Sequence, residues 1–216
     1  MTTQPQTPWR ATYARCAAPG CIEVPRKFSR FCRLHHDHIR ATGAVNGKIL
    51  TKQQIEAHAR RAREWLLCNA AHPALQFAGG TMAELLAPTE SATFLGGEFA
   101  RLRLGGAQPE EMLALWLGVW LWQDAAVRPL EDREFDVNCA RSMLRCVPAK
   151  SAISRTGRKH YKRIRGSHAR ALGEHLRQEI GAFALMAVRS ITALEKAKAE
   201  KRATLRGALA EPFHED

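Results

Sequence analysis

The chain has 216 residues, 45% of them hydrophobic and 25% charged, with 33 lysines and arginines against 21 aspartates and glutamates and a formal net charge of +12. That composition excludes global disorder and leaves room for one medium helical domain with a small appended module. Its charge is segregated: basic residues outnumber acidic ones 12 to 4 over residues 1–66, trail 6 to 10 over 67–147, and lead 15 to 7 over 148–216. Two basic ends around an acidic middle favour nucleic acid, gripped by its phosphates from two places, over the blander reading of a solvated surface.

The opening MTTQPQTPWRATYARC holds no apolar run of the kind a signal peptide or membrane span needs. A cytoplasmic, nucleoid-associated protein with no membrane partner is expected. Residues 1–15 read as a flexible arm, with Trp9 and Arg10 its only side chains suited to gripping anything. With no export signal, six cysteines point to metal ligation or burial before disulfides. Cys68, Cys139 and Cys146 lie in apolar or helical context, where a small buried hydrophobe is the ordinary role.

Residues 16–46 form the most informative stretch. Cys16, Cys21, Cys32 and His35 stand at spacings suited to one tetrahedral Zn2+. Pro19 and Gly20 supply the turn that lets the first ligand pair curl around a metal, and Val24, Phe28 and Phe31 offer an apolar anchor. Cys32 and His35 open a short helix running to Thr42 and stopped by Gly43. Arg26, Lys27, Arg30, Arg33 and Arg40 surround the ligands as a nucleic-acid-binding face.

The pattern C-x4-C-x10-C-x2-H, followed by a basic helix and a glycine, resembles the small zinc knuckle of phage and bacterial mobile-element proteins, which also heads some HNH homing endonucleases. The likeness covers about 28 residues and maps onto Cys32, His35, His36, Arg40 and Gly43; Ala41 and Thr42 depart from its basic residues. It implies a mobile-element DNA function. The following helix more loosely resembles proteins of bacterial integrative elements, a likeness of association that supplies no mechanism.

Residues 47–147 read as a helical core. Thr51 and Gln54 make a capping box for a helix with the apolar stripe Ile55, Ala59, Ala62, Leu66, and Arg60, Arg61 and Arg63 decorate its other side. Short helical pieces are expected near Met82–Leu86 and Ser91–Leu104, broken by the glycine pairs 79–80, 96–97 and 105–106. Pro109 opens the most hydrophobic helix, whose Trp116, Trp120 and Trp122 pack inward or form a seam for a homodimer or protein partner. A further helix spans Glu131–Cys146, and the acidic residues of this middle region read as solvated faces.

Residues 148–166 read as a basic loop, in which Gly157 and Gly166 suit a mobile loop or a hairpin that orders on nucleic acid, with a simple basic linker as the alternative, and 148–170 contain no carboxylate. Arg155, Arg158, Lys159, Tyr161, Lys162, Arg163 and Arg165 suit several phosphate contacts and one stacking contact. Residues 167–205 carry the amphipathic spacing of a long helix that lies on the core or pairs with its copy, and 206–216 form a charged tail.

The expected fold class is therefore all-α, a helical domain with an N-terminal zinc knuckle. The expected function is a zinc-containing DNA-binding accessory or regulatory protein of a phage or mobile element, contacting the phosphate backbone through the knuckle and the basic segment. RNA is the nearest alternative ligand. A metal-dependent HNH-like endonuclease, whose site the run His35, His36, Asp37 and His38 followed by Asn46 superficially resembles, and a protein-interaction adaptor, are the others; no catalytic residue is assigned.

Overall fold

The computed structural model describes residues 15–27, 29–88, 94–148, 151–153, 159–161 and 164–210, with the backbone alone at 94, 151–153, 159–161, 205 and 207–210. The fold is all-α. Helices α1 (Arg33–Thr42), α2 (Lys52–Cys68), α3 (Pro73–Leu86), α4 (Phe94–Leu104), α5 (Pro109–Ala125) and α6 (Asp132–Met143) are followed by a 3-10 turn at Leu144–Cys146. Two three-residue strands, β1 (Ser151–Ile153) and β2 (Lys159–Tyr161), then pair antiparallel with Ala152 opposite His160, and α7 (Gly166–Ala210) closes the chain.

Helix α5 is the centre. Pro109 occupies its first turn with Glu110 and Glu111, where a proline loses no hydrogen bond and carboxylates meet the positive end of the helix dipole. Every residue from Met112 to Val119 is buried, as a helix that is apolar all round requires. Trp116 is wholly buried and so takes no part in a docking seam; it stacks edge-on to Trp120, which in turn meets Phe135 at 4.8 Å between ring centres. The more exposed Trp122 lies under the Lys48 ammonium.

Helix α2 crosses α5 at Gly118, where an added Cβ would lie 3.1 Å from that of Ala59, so only glycine allows this close a crossing. The Thr51 and Gln54 capping box is formed, and Ile55, Ala59, Ala62 and Leu66 are buried along with Trp65. Arg61 and Arg63, on the other side of the helix, are neutralised by carboxylates. Arg61 pairs with Glu195, and Arg63 holds Glu111 through two bonds of 2.7 Å while also reaching Glu56.

The glycine pairs behave differently from expectation. Gly79 and Gly80 lie inside α3, and Gly96 and Gly97 inside α4; only Gly105 and Gly106 end a helix, with Gly106 at φ 73°. Glycine costs a helix about 1 kcal/mol relative to alanine. In α3 the His72 cap, Pro73 and the buried Leu75, Ala78 and Met82 offset that cost.

Acidic residues of the middle region are also not all solvated. Glu134 and Asp136 are buried on α6, and together with Asn138 they hold neighbouring segments. Glu134 accepts from the Lys48 amide at 2.8 Å; Asn138 accepts from the Leu50 amide at 2.7 Å and donates to the Lys48 carbonyl. Asn138 thus acts as a stand-in strand for the link between knuckle and core. Asp136 receives two bonds from Arg177 of α7.

Among the remaining cysteines, Cys139 is buried and Cys146 partly buried, but Cys68 is exposed at the end of α2, where the helix has run past the core. Helix α7 bends at Ile180 (φ −125°, ψ 15°) and buries Leu172, Leu176, Ile180, Phe183, Ala187 and Ile191. Beyond Ile191 no described side chain of α7 is buried; Leu194 is exposed, and the helix continues past 205 to Ala210. No helix among the described residues is long and apolar enough to cross a membrane.

Candidate metal centre

The knuckle is a loop closed by backbone bonds before any metal is considered. Pro19 and Gly20 occupy the middle of a turn in which the Cys21 amide donates to the Ala18 carbonyl at 3.1 Å, and Gly20 takes φ 74°, a conformation costly for any residue with a Cβ. The Cys16 amide donates to Glu23, the Ala17 amide to Arg30 and the Arg26 amide to Phe31, each at 2.9 Å. Cys32 is the N-cap of α1 and makes no side-chain cap bond, which leaves its thiol free to turn toward the other ligands. At the far end Gly43, at φ 81°, donates to the Ile39 carbonyl and ends the helix.

These constraints bring the four expected ligands together. The ligand atoms of Cys16, Cys21, Cys32 and His35 all lie within 4.8 Å of one another, a group that could hold a metal ion. His35 presents Nδ1, at 3.4 Å from Cys16 Sγ and 3.2 Å from Cys32 Sγ, and Cys21 Sγ is 4.0 Å from Cys32 Sγ. Cys16 and Cys32 are buried with Ala18, and Phe31 and Val45 pack beside them. Val24, expected as an anchor, is instead exposed, and Phe28 lies outside the described residues.

The surroundings favour a thiolate. Burial works against ionising Cys16, yet the Cys32 and Ala18 amides, His35 and the Cys32 thiol outweigh it and lower the Cys16 thiol to about 6. The Cys32 amide donates directly to Cys16 Sγ at 3.2 Å. The sulfur of one expected ligand is thereby held by the backbone of another.

His36, Asp37 and His38 occupy three successive positions of α1, which do not share a helix face. His36 Nδ1 is 3.6 Å from Asp37 Oδ1, and Asp37 and His38 are exposed. Asn46 is exposed beyond the helix. Among the described residues no second cluster of histidine, cysteine or carboxylate suited to a metal occurs.

Arg26, Lys27, Arg30, Arg33 and Arg40 are all exposed around the knuckle. Arg155, Arg158, Lys162 and Arg163 lie outside the described residues, and Lys159 and Tyr161 are described only as backbone of β2. Arg165 is exposed at the start of α7, where it shares a groove of about 660 Å3 with Arg40. Arg133 and Arg141 of α6 and Arg170 of α7 line the same groove. Arg133 and Arg141 carry no sequence signal, because they sit in the segment whose net charge is negative; only the packing of α1 and α7 on α6 reveals them.

No protein-family model matches this chain, and comparison with curated proteins and with solved structures yields no match.

Proposed function

We propose that this chain is a zinc-stabilised DNA-binding protein, an accessory or regulatory factor of a phage or mobile element, in which the knuckle and the segment entering α7 contact the phosphate backbone. Zn2+ suits the donor set. Bonds of about 2.3 Å to sulfur and 2.0–2.1 Å to nitrogen give tetrahedral edges of about 3.8 Å between sulfurs and 3.6 Å between sulfur and nitrogen. The Cys21–Cys32 separation of 4.0 Å and the two contacts to His35 of 3.4 and 3.2 Å need shifts of a few tenths of an ångström. Three thiolates and one imidazole would close the coordination shell, which makes the ion structural.

The observation that carries the DNA reading is the placement of α1 against α6 and α7, which sets Arg40 from one basic end of the chain and Arg165 from the other on one groove. Metal ligation would fix Arg26, Lys27, Arg30 and Arg33 on a rigid frame beside it. Fixed arginines lose less freedom on meeting a phosphate than arginines on an unordered loop. The mobile-element assignment rests on the likeness of the Cys16–Gly43 stretch to such knuckles.

Fluorescence anisotropy with duplex DNA and with RNA of the same sequence, over a range of salt, tests this. Affinity for duplex DNA should fall steeply with salt, and replacing Arg26, Lys27, Arg30 and Arg33 by alanine should flatten the slope by about 0.9 for each phosphate no longer neutralised. Absence of binding, or affinity indifferent to salt, overturns the proposal; a preference for RNA replaces DNA as the ligand. Metal-dependent nicking of a plasmid, abolished by replacing His36, Asp37 and His38 with alanine, would establish the endonuclease reading in its place.

A further inference from the structure

Four arginines that meet the core are neutralised there. Arg61, Arg63, Arg101 and Arg177 each pair with a carboxylate. The groove between α1, α6 and the start of α7 contrasts with them: Arg40, Arg133, Arg165 and Arg170 form no ion pair among the described residues. Asp37 is the one carboxylate among the residues lining it. Arg170 goes further, since its Nε is buried with no hydrogen-bond partner among the described residues. Packing so many like charges together is unfavourable in the free protein, and a buried N–H without an acceptor adds to the cost. An anion in the groove would relieve both.

We infer that this groove binds a nucleotide carrying a terminal phosphate. A phosphate monoester brings nearly two negative charges and three acceptor oxygens, which match several guanidinium forks better than a single carboxylate does. Ile39, Ile49 and Ile164 line the same groove and offer an apolar wall for the attached sugar and base. The volume of about 660 Å3 falls within the range of small-molecule sites, roughly 300–1,000 Å3. The site deepens the nucleic-acid reading and rests on it for the choice of nucleotide over other phosphate esters.

Titration calorimetry of the metal-loaded, full-length protein tests it with adenosine 5′-monophosphate, adenosine and a hexaglutamate peptide. The nucleotide should bind saturably and adenosine should not. Arg133→Gln with Arg170→Gln should weaken the nucleotide by about tenfold or more. If that double variant melts below the parent, the exposed Arg133→Gln alone serves, with a smaller loss expected. No nucleotide binding, equal binding of adenosine, unchanged affinity in the variants, or tighter binding of hexaglutamate would overturn the site. A single-stranded oligonucleotide with a 5′-phosphate, set beside its 5′-hydroxyl form and the free nucleotide, locates the source. Preference for the phosphorylated strand makes the ligand a strand end and preference for the free nucleotide a small molecule, and either supports the site. Alanine at Arg26, Lys27, Arg30 and Arg33 separates the two readings, because it should weaken duplex binding and flatten its salt dependence while leaving the nucleotide affinity intact.

Discussion

Gly166, the first residue of α7, lies against the carbonyl oxygen of Arg40 so closely that any side chain there would collide with it and with the Ala41 carbonyl. The end of the knuckle helix, rich in unpaired carbonyls, thus meets the start of the last long helix, rich in unpaired N–H groups. Gly166→Val should force the two apart at a cost of about 1–3 kcal/mol, typical of overpacking. Chemical denaturation measures the loss, and an unchanged midpoint would show that this contact does not fix the knuckle to the core.

Cys32 both caps α1 and faces Cys16, Cys21 and His35. Cys32→Ala should abolish metal binding and unfold the loop 16–32, whose apolar cluster is too small to hold alone. The helices of the core, with their own continuous cluster, should persist. Metal analysis and far-ultraviolet circular dichroism read the two halves separately; unchanged metal content would refute the ligand assignment.

Asn138 is buried and bonds to Leu50, Lys48 and Glu134 through its one side chain. Asn138→Ala strands an amide and a carbonyl in the interior, with an expected cost of about 2–4 kcal/mol from the unsatisfied groups. Equilibrium unfolding in urea should show it as a lower midpoint at unchanged slope.

His58 sits half-buried beside Arg61, and burial followed by that guanidinium holds its ring below the ordinary value of 6.5, with Glu195 opposing. The folded protein therefore binds this proton less readily than the unfolded chain. Its contribution to stability is complete above pH 6.5 and declines as pH falls below that value. Replacing His58 by glutamine should flatten the dependence of melting temperature on pH between about 7 and 5; parallel curves for both proteins would exclude the effect.

The knuckle ligands were legible because the spacing of Cys16, Cys21, Cys32 and His35 lies within a short loop and the first turn of one helix, where chain geometry alone brings them together. The Thr51 capping box, the buried α5 and the apolar stripe of α7 were legible for the same reason: each is a local pattern with a fixed period. Gly79 and Gly80 misled because glycine weakens a helix only by an amount that buried neighbours can outweigh. The pairing of Arg61 with Glu195 and of Arg63 with Glu111 was not legible, because those carboxylates come from other helices.

By itself, then, the sequence determined the helical class, the group of residues that could hold a metal and the excess of positive charge. Tertiary structure decided which arginines stay unpaired among the described residues, since Arg40, Arg133, Arg165 and Arg170 belong to segments of different net charge and share a groove only once α1 and α7 pack on α6. Pairing depends on distance in space, and no local pattern encodes a distance between residues so far apart in the chain.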